Sequence, residues 1–357
     1  MARAWLLPAI AWLAGCAALP EPADLRDATI AYPDGTPLAA RDGRARFREI
    51  FCALTAPDGH DPGGELACDD LLWRLPDEPA IPPPASATLP ALAPRLRIFV
   101  ISGAFGDCRI EDMVPYGDAI ERLVATGVPI QAVTVSGRSS AAHNARQIAD
   151  AVRAARLDDD ERIVLLGYSK GAVDILQFLV DEPELARRVA AAISVAGPIF
   201  GSPLAGTADW WYRKMFTRSF AAFCDPGDGG VIESLVPEAR ARWMADHPLP
   251  RHVRYLSIAA FTTREHLSRG LRPSWRMLAS TDKRNDGQVV AGDAVIPGST
   301  LLGYANADHW DVAIALDKQL PYLSARRSAR RFPRTELLQA MLLYVSEDLD
   351  ATARAAP

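Results

Sequence analysis

The chain has 357 residues, 49% of them apolar and 23% charged, with a formal net charge of −5. That length and apolar share can bury one large α/β core or two smaller ones, and they exclude a disordered chain. No basic stripe and no block of like charges is present, which excludes nucleic acid as an expected partner.

In chain order, the first feature is an apolar run from Ala4 to Ala14 behind Arg3. It is too short to span a bilayer as a helix and has the length of a signal-peptide core. It ends in Leu13-Ala14-Gly15-Cys16, which resembles the lipobox of bacterial lipoproteins; a plain secretory signal cut nearby is the alternative. The resemblance implies that residues 1–15 are a signal peptide, that Cys16 is lipidated, and that the folded body is held on a membrane of the bacterial cell envelope by an N-terminal lipid anchor. Ala17 stands where an aspartate would favour the inner membrane, so the resemblance implies the outer one. Export also gives the remaining cysteines a meaning. Cys52, Cys68, Cys108 and Cys224 are an even number, suited to two disulfides in an oxidising compartment. Of the three pairings, a short loop Cys52–Cys68 with a long loop Cys108–Cys224 is the favoured one. No Cys-x-x-Cys or His-x-x-x-His spacing suggests a metal site.

Residues 16–94 read as an N-terminal extension. Phe47, Ile50, Phe51 and Leu54 have helical spacing within Gly43–Ala56, and Leu66–Leu75 suits a second short helix. Pro76 to Pro94 is a proline-rich linker or strap, because its prolines fit neither helix interior nor central strand. From 95 to 357 the texture changes. Short β-branched runs at Arg97–Ser102, Ile130–Val135, Arg162–Tyr168, Ala190–Gly197, His252–Phe261 and Ser299–Tyr304 suit strands buried on both faces of a parallel sheet. Amphipathic stretches such as Ala141–Leu157 lie between them, and a final helix runs through Arg334–Leu349. Alternation of this kind predicts an α/β fold with a mostly parallel, doubly wound sheet. Residues 201–250, rich in Trp, Phe and Met, interrupt the alternation.

One stretch carries chemistry: Gly167-Tyr168-Ser169-Lys170-Gly171. Gly-x-Ser-x-Gly by itself is weak, since a chain this long gives roughly 0.1 matches by chance. Here the serine follows an apolar strand and precedes the apolar helix Gly171–Val180, the strand–turn–helix that a nucleophile elbow requires. A serine hydroxyl needs a base, and in such elbows acid and histidine follow in the order Ser, Asp, His. His309 is the last histidine and comes directly after the final strand. His60 and His143 precede the serine, while His247, His252 and His266 lie in the insertion or beside a strand. Asp286, in the turn Asn285-Asp286-Gly287, is the expected acid and Asp282 its rival; Asp308 and Asp311 flank the histidine too closely. The oxyanion donors expected are the backbone amide of Lys170 and that of Ala104 or Phe105, in the small-residue loop Gly103–Cys108.

The elbow, the Gly103–Gly106 loop, Asn285-Asp286-Gly287 and Asp308-His309-Trp310 together resemble the α/β-hydrolase superfamily, esterase and lipase branch. Val195–Ala205 is similar to the Gly-Ser-Pro-Leu segment leading into lipase lids, which implies that residues 201–250 form a helical cap. Two features depart from the pattern. Ser102-Gly103 stands where many members carry His-Gly, and Lys170 replaces the more usual glutamine, methionine or small residue. The resemblance implies a serine hydrolase of carboxylic esters, with a small-molecule or lipid ester as substrate and no cofactor. An acyltransferase or thioesterase with the same triad is one rival. A non-catalytic envelope lipoprotein is the other.

Overall fold

The computed structural model describes residue 25 and residues 29–55, 68–80, 92, 95–108, 114–206, 224–315 and 332–355. The signal run, Cys16, most of the proline-rich linker and the aromatic stretch at 207–223 lie outside the described residues. The strands are β1 (Arg41–Asp42), β2 (Leu96–Ile101), β3 (Ile130–Val133), β4 (Arg162–Tyr168), β5 (Val189–Val195), β6 (Arg254–Ala260) and β7 (Thr300–Ala305). They form one sheet in the order β1-β7-β6-β5-β4-β2-β3, and every pairing is parallel. Six strands are those expected from the sequence. The seventh, β1, is too short to carry a hydrophobic pattern.

Most of the longer helices cover one face or the other of this sheet. Among the described residues the helices longer than four residues are α1 (Arg44–Thr55), α2 (Gly117–Ala125), α3 (Ala141–Ala154), α4 (Lys170–Asp181), α5 (Pro237–Asp246), α6 (Arg272–Leu278) and α7 (Arg334–Ala355). Alternate residues of a strand point to opposite faces. Val164 and Leu166 of β4 accordingly pack with Phe47 and Phe51 of α1, Ile120 of α2 and Leu338 and Met341 of α7. Ile163 and Leu165 pack on the other side with Ile148 and Val152 of α3 and Leu176 and Leu179 of α4. Each such side chain contributes about 1.5–3 kcal/mol through burial, so the two layers supply most of the driving force.

The described part of the N-terminal extension is built into this body. Phe47 and Phe51 are fully buried, and α1 lies against α7 and β7. Trp73 stacks on Phe261 at 5.2 Å and donates its indole N–H to the Phe261 carbonyl at 2.8 Å. Arg48 forms a buried two-pronged pair with Glu78, at 2.6 and 2.8 Å, and also donates to the Leu72 and Trp73 carbonyls. Cys52 is joined to Cys68 and Cys108 to Cys224, the pairing favoured on loop length.

The segment expected to form a cap divides. Pro203–Gly206 is a single helical turn, and residues 207–223 of the segment lie outside the described residues. Trp243 and Met244 of α5 pack into the cluster beneath β5 and β6, and Arg240 donates to the Ile199 carbonyl at 3.1 Å. This helix lies against a sheet face, as α3 and α4 do.

Candidate active site

β2 and β4 are adjacent, with Ile101 opposite Gly167, so the loops after both strands leave the sheet side by side. The successor of β2 lies to one side and those of β4 to the other. This is a switch point in strand order, where a crevice opens at the C-terminal strand ends. Ser169 occupies the turn from β4 into α4.

Its backbone has φ 53° and ψ −129°, a conformation that a non-glycine residue adopts only under constraint. The constraint comes from both sides. The Ser169 amide donates to the Val195 carbonyl at the end of β5, and its own carbonyl accepts from Ala172 in α4, both at 3.0 Å. The flanking glycines are there for space. A Cβ on Gly167 would sit 2.4 Å from the Ala172 nitrogen, and one on Gly171 would sit 2.6 Å from the Ile101 and Ser102 carbonyl oxygens.

Asp286 and His309 come from the loops after β6 and β7. Asn285 and Val290 form an antiparallel bridge, and the Asp286 amide donates to the Val289 carbonyl at 3.1 Å. One carboxylate oxygen of Asp286, Oδ1, accepts from the amides of Gln288 and Val289 at 2.8 and 2.7 Å. The other, Oδ2, lies 2.7 Å from His309 Nδ1. His309 Nε2 lies 2.8 Å from Ser169 Oγ. With Nδ1–H donating to the carboxylate, Nε2 is left to accept the serine proton, the arrangement a general base needs. Asp286 and His309 are both buried, while Ser169 keeps partial exposure. Asp282, the rival acid, pairs with Arg284 at 2.9 Å instead.

Two further residues, Tyr168 and Asp308, hold the histidine loop together with a backbone bond, and the sequence reading assigned neither of them this part. The His309 amide donates to the Asp286 carbonyl at 2.9 Å, which ties the two loops together. The Tyr168 hydroxyl donates to the His309 carbonyl at 2.5 Å, and its ring lies 5.3 Å from the imidazole. Burial, with the negative charges of Asp286 and Asp308 nearby, pushes the Tyr168 phenol far up, so it stays a donor. Asp308 is fully buried and accepts three amides, from Ser268 at 2.6 Å, Trp310 at 3.0 Å and Asp311 at 2.9 Å. Burial raises its carboxyl, and hydrogen bonding by the Ser268 side chain, then by the Asp311, Ser268 and Trp310 amides, pulls it back. Its place beside His309 reads in sequence only as a near neighbour.

The two oxyanion candidates on the β2 loop separate. The Phe105 amide donates to the Gly137 carbonyl at 3.2 Å and is committed there. Among the described residues nothing accepts from the Ala104 amide. The loop sits against the elbow, since a Cβ on Gly103 would lie 2.9 Å from Ser169 Cβ. Among the described residues no group of three His, Cys, Asp or Glu is arranged to hold a metal ion, and no helix is long and apolar enough to cross a membrane.

No family model and no curated protein matches the chain. Solved structures do. The crystal structure of a metagenomic carboxyl esterase, MGS0156, is 39% identical, with the match covering 91% of this chain and 98% of that one at a TM-score of 0.79. The Bacillus licheniformis lipase BlEst2 in its mature form is 18% identical over 71% of this chain and 94% of its own, at a TM-score of 0.53, and shares the fold.

Proposed function

Because this chain belongs to the α/β-hydrolase superfamily and is a carboxylic ester hydrolase, we propose that it cleaves acyl or lipid-type esters through an acyl-enzyme on Ser169. One observation carries this reading: the continuous hydrogen-bonded line Ser169 Oγ–His309–Asp286, at 2.8 and 2.7 Å, at the mouth of the switch point.

In this reading Ser169 Oγ attacks the ester carbonyl carbon while its proton passes to His309 Nε2. The tetrahedral oxyanion is held by the amides of Lys170 and Ala104, a contribution of about 3 kcal/mol per donor. The carbon–oxygen bond to the alcohol then breaks, and His309 gives its proton to the departing oxygen. Water enters, loses a proton to His309 and attacks the acyl carbon; the acid leaves as that proton returns to Ser169. Asp286 keeps its charge throughout, fixing the histidine tautomer and stabilising the imidazolium.

The lipobox-like Leu13-Ala14-Gly15-Cys16 and the two disulfides support placing the enzyme on the bacterial envelope, held by a lipid on Cys16 on the periplasmic or outer face. The test is fluorophosphonate labelling with ester turnover. Wild type labels and hydrolyses, whereas Ser169→Ala does neither, its kcat falling by roughly 10⁴–10⁶-fold. Labelling that persists in the variant sinks the reading. Metabolic labelling with a fatty acid, lost in Cys16→Ser, tests the anchor separately.

A further inference from the structure

The residue after the proposed nucleophile carries a side chain that the reaction does not use. Lys170 is completely buried, and its Nζ lies 2.5 Å from Oδ1 of Asp174, one turn along α4 and equally buried. The second oxygen of Asp174 accepts from Nδ2 of Asn144 in α3 at 2.7 Å. That same nitrogen donates to the Ser136 carbonyl at 3.0 Å. Burial raises the Asp174 carboxyl, while the Lys170 ammonium opposes the rise. A buried ion pair is weak as a source of stability, because apolar residues of like volume often serve as well. What it fixes in place is therefore the more informative question.

The line of contacts ends at the segment Ser136–Ser140, between β3 and α3. The next residue, Gly137, donates its amide to Asp107 Oδ1 at 3.0 Å and accepts from the Phe105 amide at 3.2 Å. Phe105 and Asp107 follow Ala104 by one and three residues in the loop after β2. One short segment is thus tied on one side to the Lys170 side chain and on the other to the loop carrying Ala104. Those two residues supply the two donors of the oxyanion hole.

We propose that Lys170, Asp174 and Asn144 act as positioning residues which, through Ser136 and Gly137, set the spacing of the two oxyanion amides. The proposal rests on the reading of Ser169 as nucleophile. Spacing matters because the donors must reach the developing oxyanion at about 2.7–3.1 Å. A brace that slips takes stabilisation from the transition state and leaves ground-state binding intact, so kcat falls while KM does not.

The experiment compares wild type with Lys170→Met/Asp174→Leu, which removes both buried charges together. kcat and KM are measured on a short-chain p-nitrophenyl ester, along with the Ki of an alkyl boronic acid, whose adduct on the serine is tetrahedral. Expected are a roughly 10- to 100-fold fall in kcat, a parallel rise in Ki and a KM within about twofold of wild type. Asp107→Ala loosens the far end of the brace at a half-buried position and gives the same pattern, about three- to tenfold. Unchanged kcat and Ki in both variants, or a loss carried by KM, overturns the proposal. If the double variant does not fold, Asp107→Ala decides by the same readouts. Hydrolysis retained in Ser169→Ala would instead overturn the nucleophile reading on which the proposal rests.

Discussion

Ser169 and its amide neighbour ride on β4 and α4, regular elements whose backbone bonds are made whether or not a site exists. Asp286 and His309 ride on loops, and those loops hold their shape by carboxylates accepting backbone amides. Asp286 Oδ1 takes two amides and Asp308 three. One wall of the crevice is therefore stiff because the sheet is stiff. The other is stiff because a few buried acids gather loose N–H groups, each of which would cost about 1–3 kcal/mol if orphaned. Substitutions on the loop wall should disturb shape and chemistry together, whereas on the sheet wall the two should separate.

The largest test of this difference is Asp286→Asn. An amide still occupies the position but no longer holds the tautomer or the imidazolium, and kcat should fall by roughly 10³–10⁴. Near-ultraviolet circular dichroism would check that the loop survives. Next comes Asp308→Ala. It leaves three amides without their acceptor and should lower stability by about 2–4 kcal/mol in a denaturant titration, with activity lost alongside. A variant of wild-type stability would refute the account of this loop.

Tyr168→Phe addresses the one side-chain bond that crosses from the sheet wall to the histidine carbonyl. It should cost about 1 kcal/mol of stability and lower kcat by a small factor, roughly three- to tenfold, because the ring remains and only the hydroxyl goes. The smallest effect belongs to Asp293, in the helical turn Ala291–Ala294, which is neither nucleophile nor loop acceptor. Burial, with Asp282 adding repulsion, pushes its carboxyl up to about 7. The folded state then keeps a proton that the unfolded chain has lost, so this group's contribution declines as pH rises from about 4 to 7. Asp293→Asn should be more stable than wild type at pH 8 by on the order of 2 kcal/mol. The gap should close below about pH 4, and kcat should not change. Melting curves across that range decide it.

The same contrast explains what could be read in the sequence. The elbow is legible because strand, glycines, serine and helix are consecutive, so local sterics alone demand that order. His309 follows from its place after the last long strand, and Asp286 from a turn with few alternatives. The loop wall is not legible beyond those two residues. Asp308 stands beside the histidine in sequence but faces Ser268, 40 residues earlier, and no spacing rule links them. The partner of Lys170 is equally hidden: Asp174 is helical spacing, but Asn144 comes from another helix. Ala104 and Phe105 were equivalent until Gly137 took one of the two amides. Trp243 and Met244 were not assignable from composition, because apolar side chains satisfy any apolar surface and a sheet face serves them here.

The two-residue strand β1 has a consequence out of proportion to its length. Its bonds run from the Arg41 amide to the Ser299 carbonyl and from the Gly43 amide to the Leu301 carbonyl, and they close the open side of β7. An uncovered strand of that apolar character would invite pairing with a neighbouring molecule. Trimming the chain back to Arg95, where the β–α alternation starts, would thus yield sticky material prone to precipitate. The residues that look most dispensable cover one margin of the sheet.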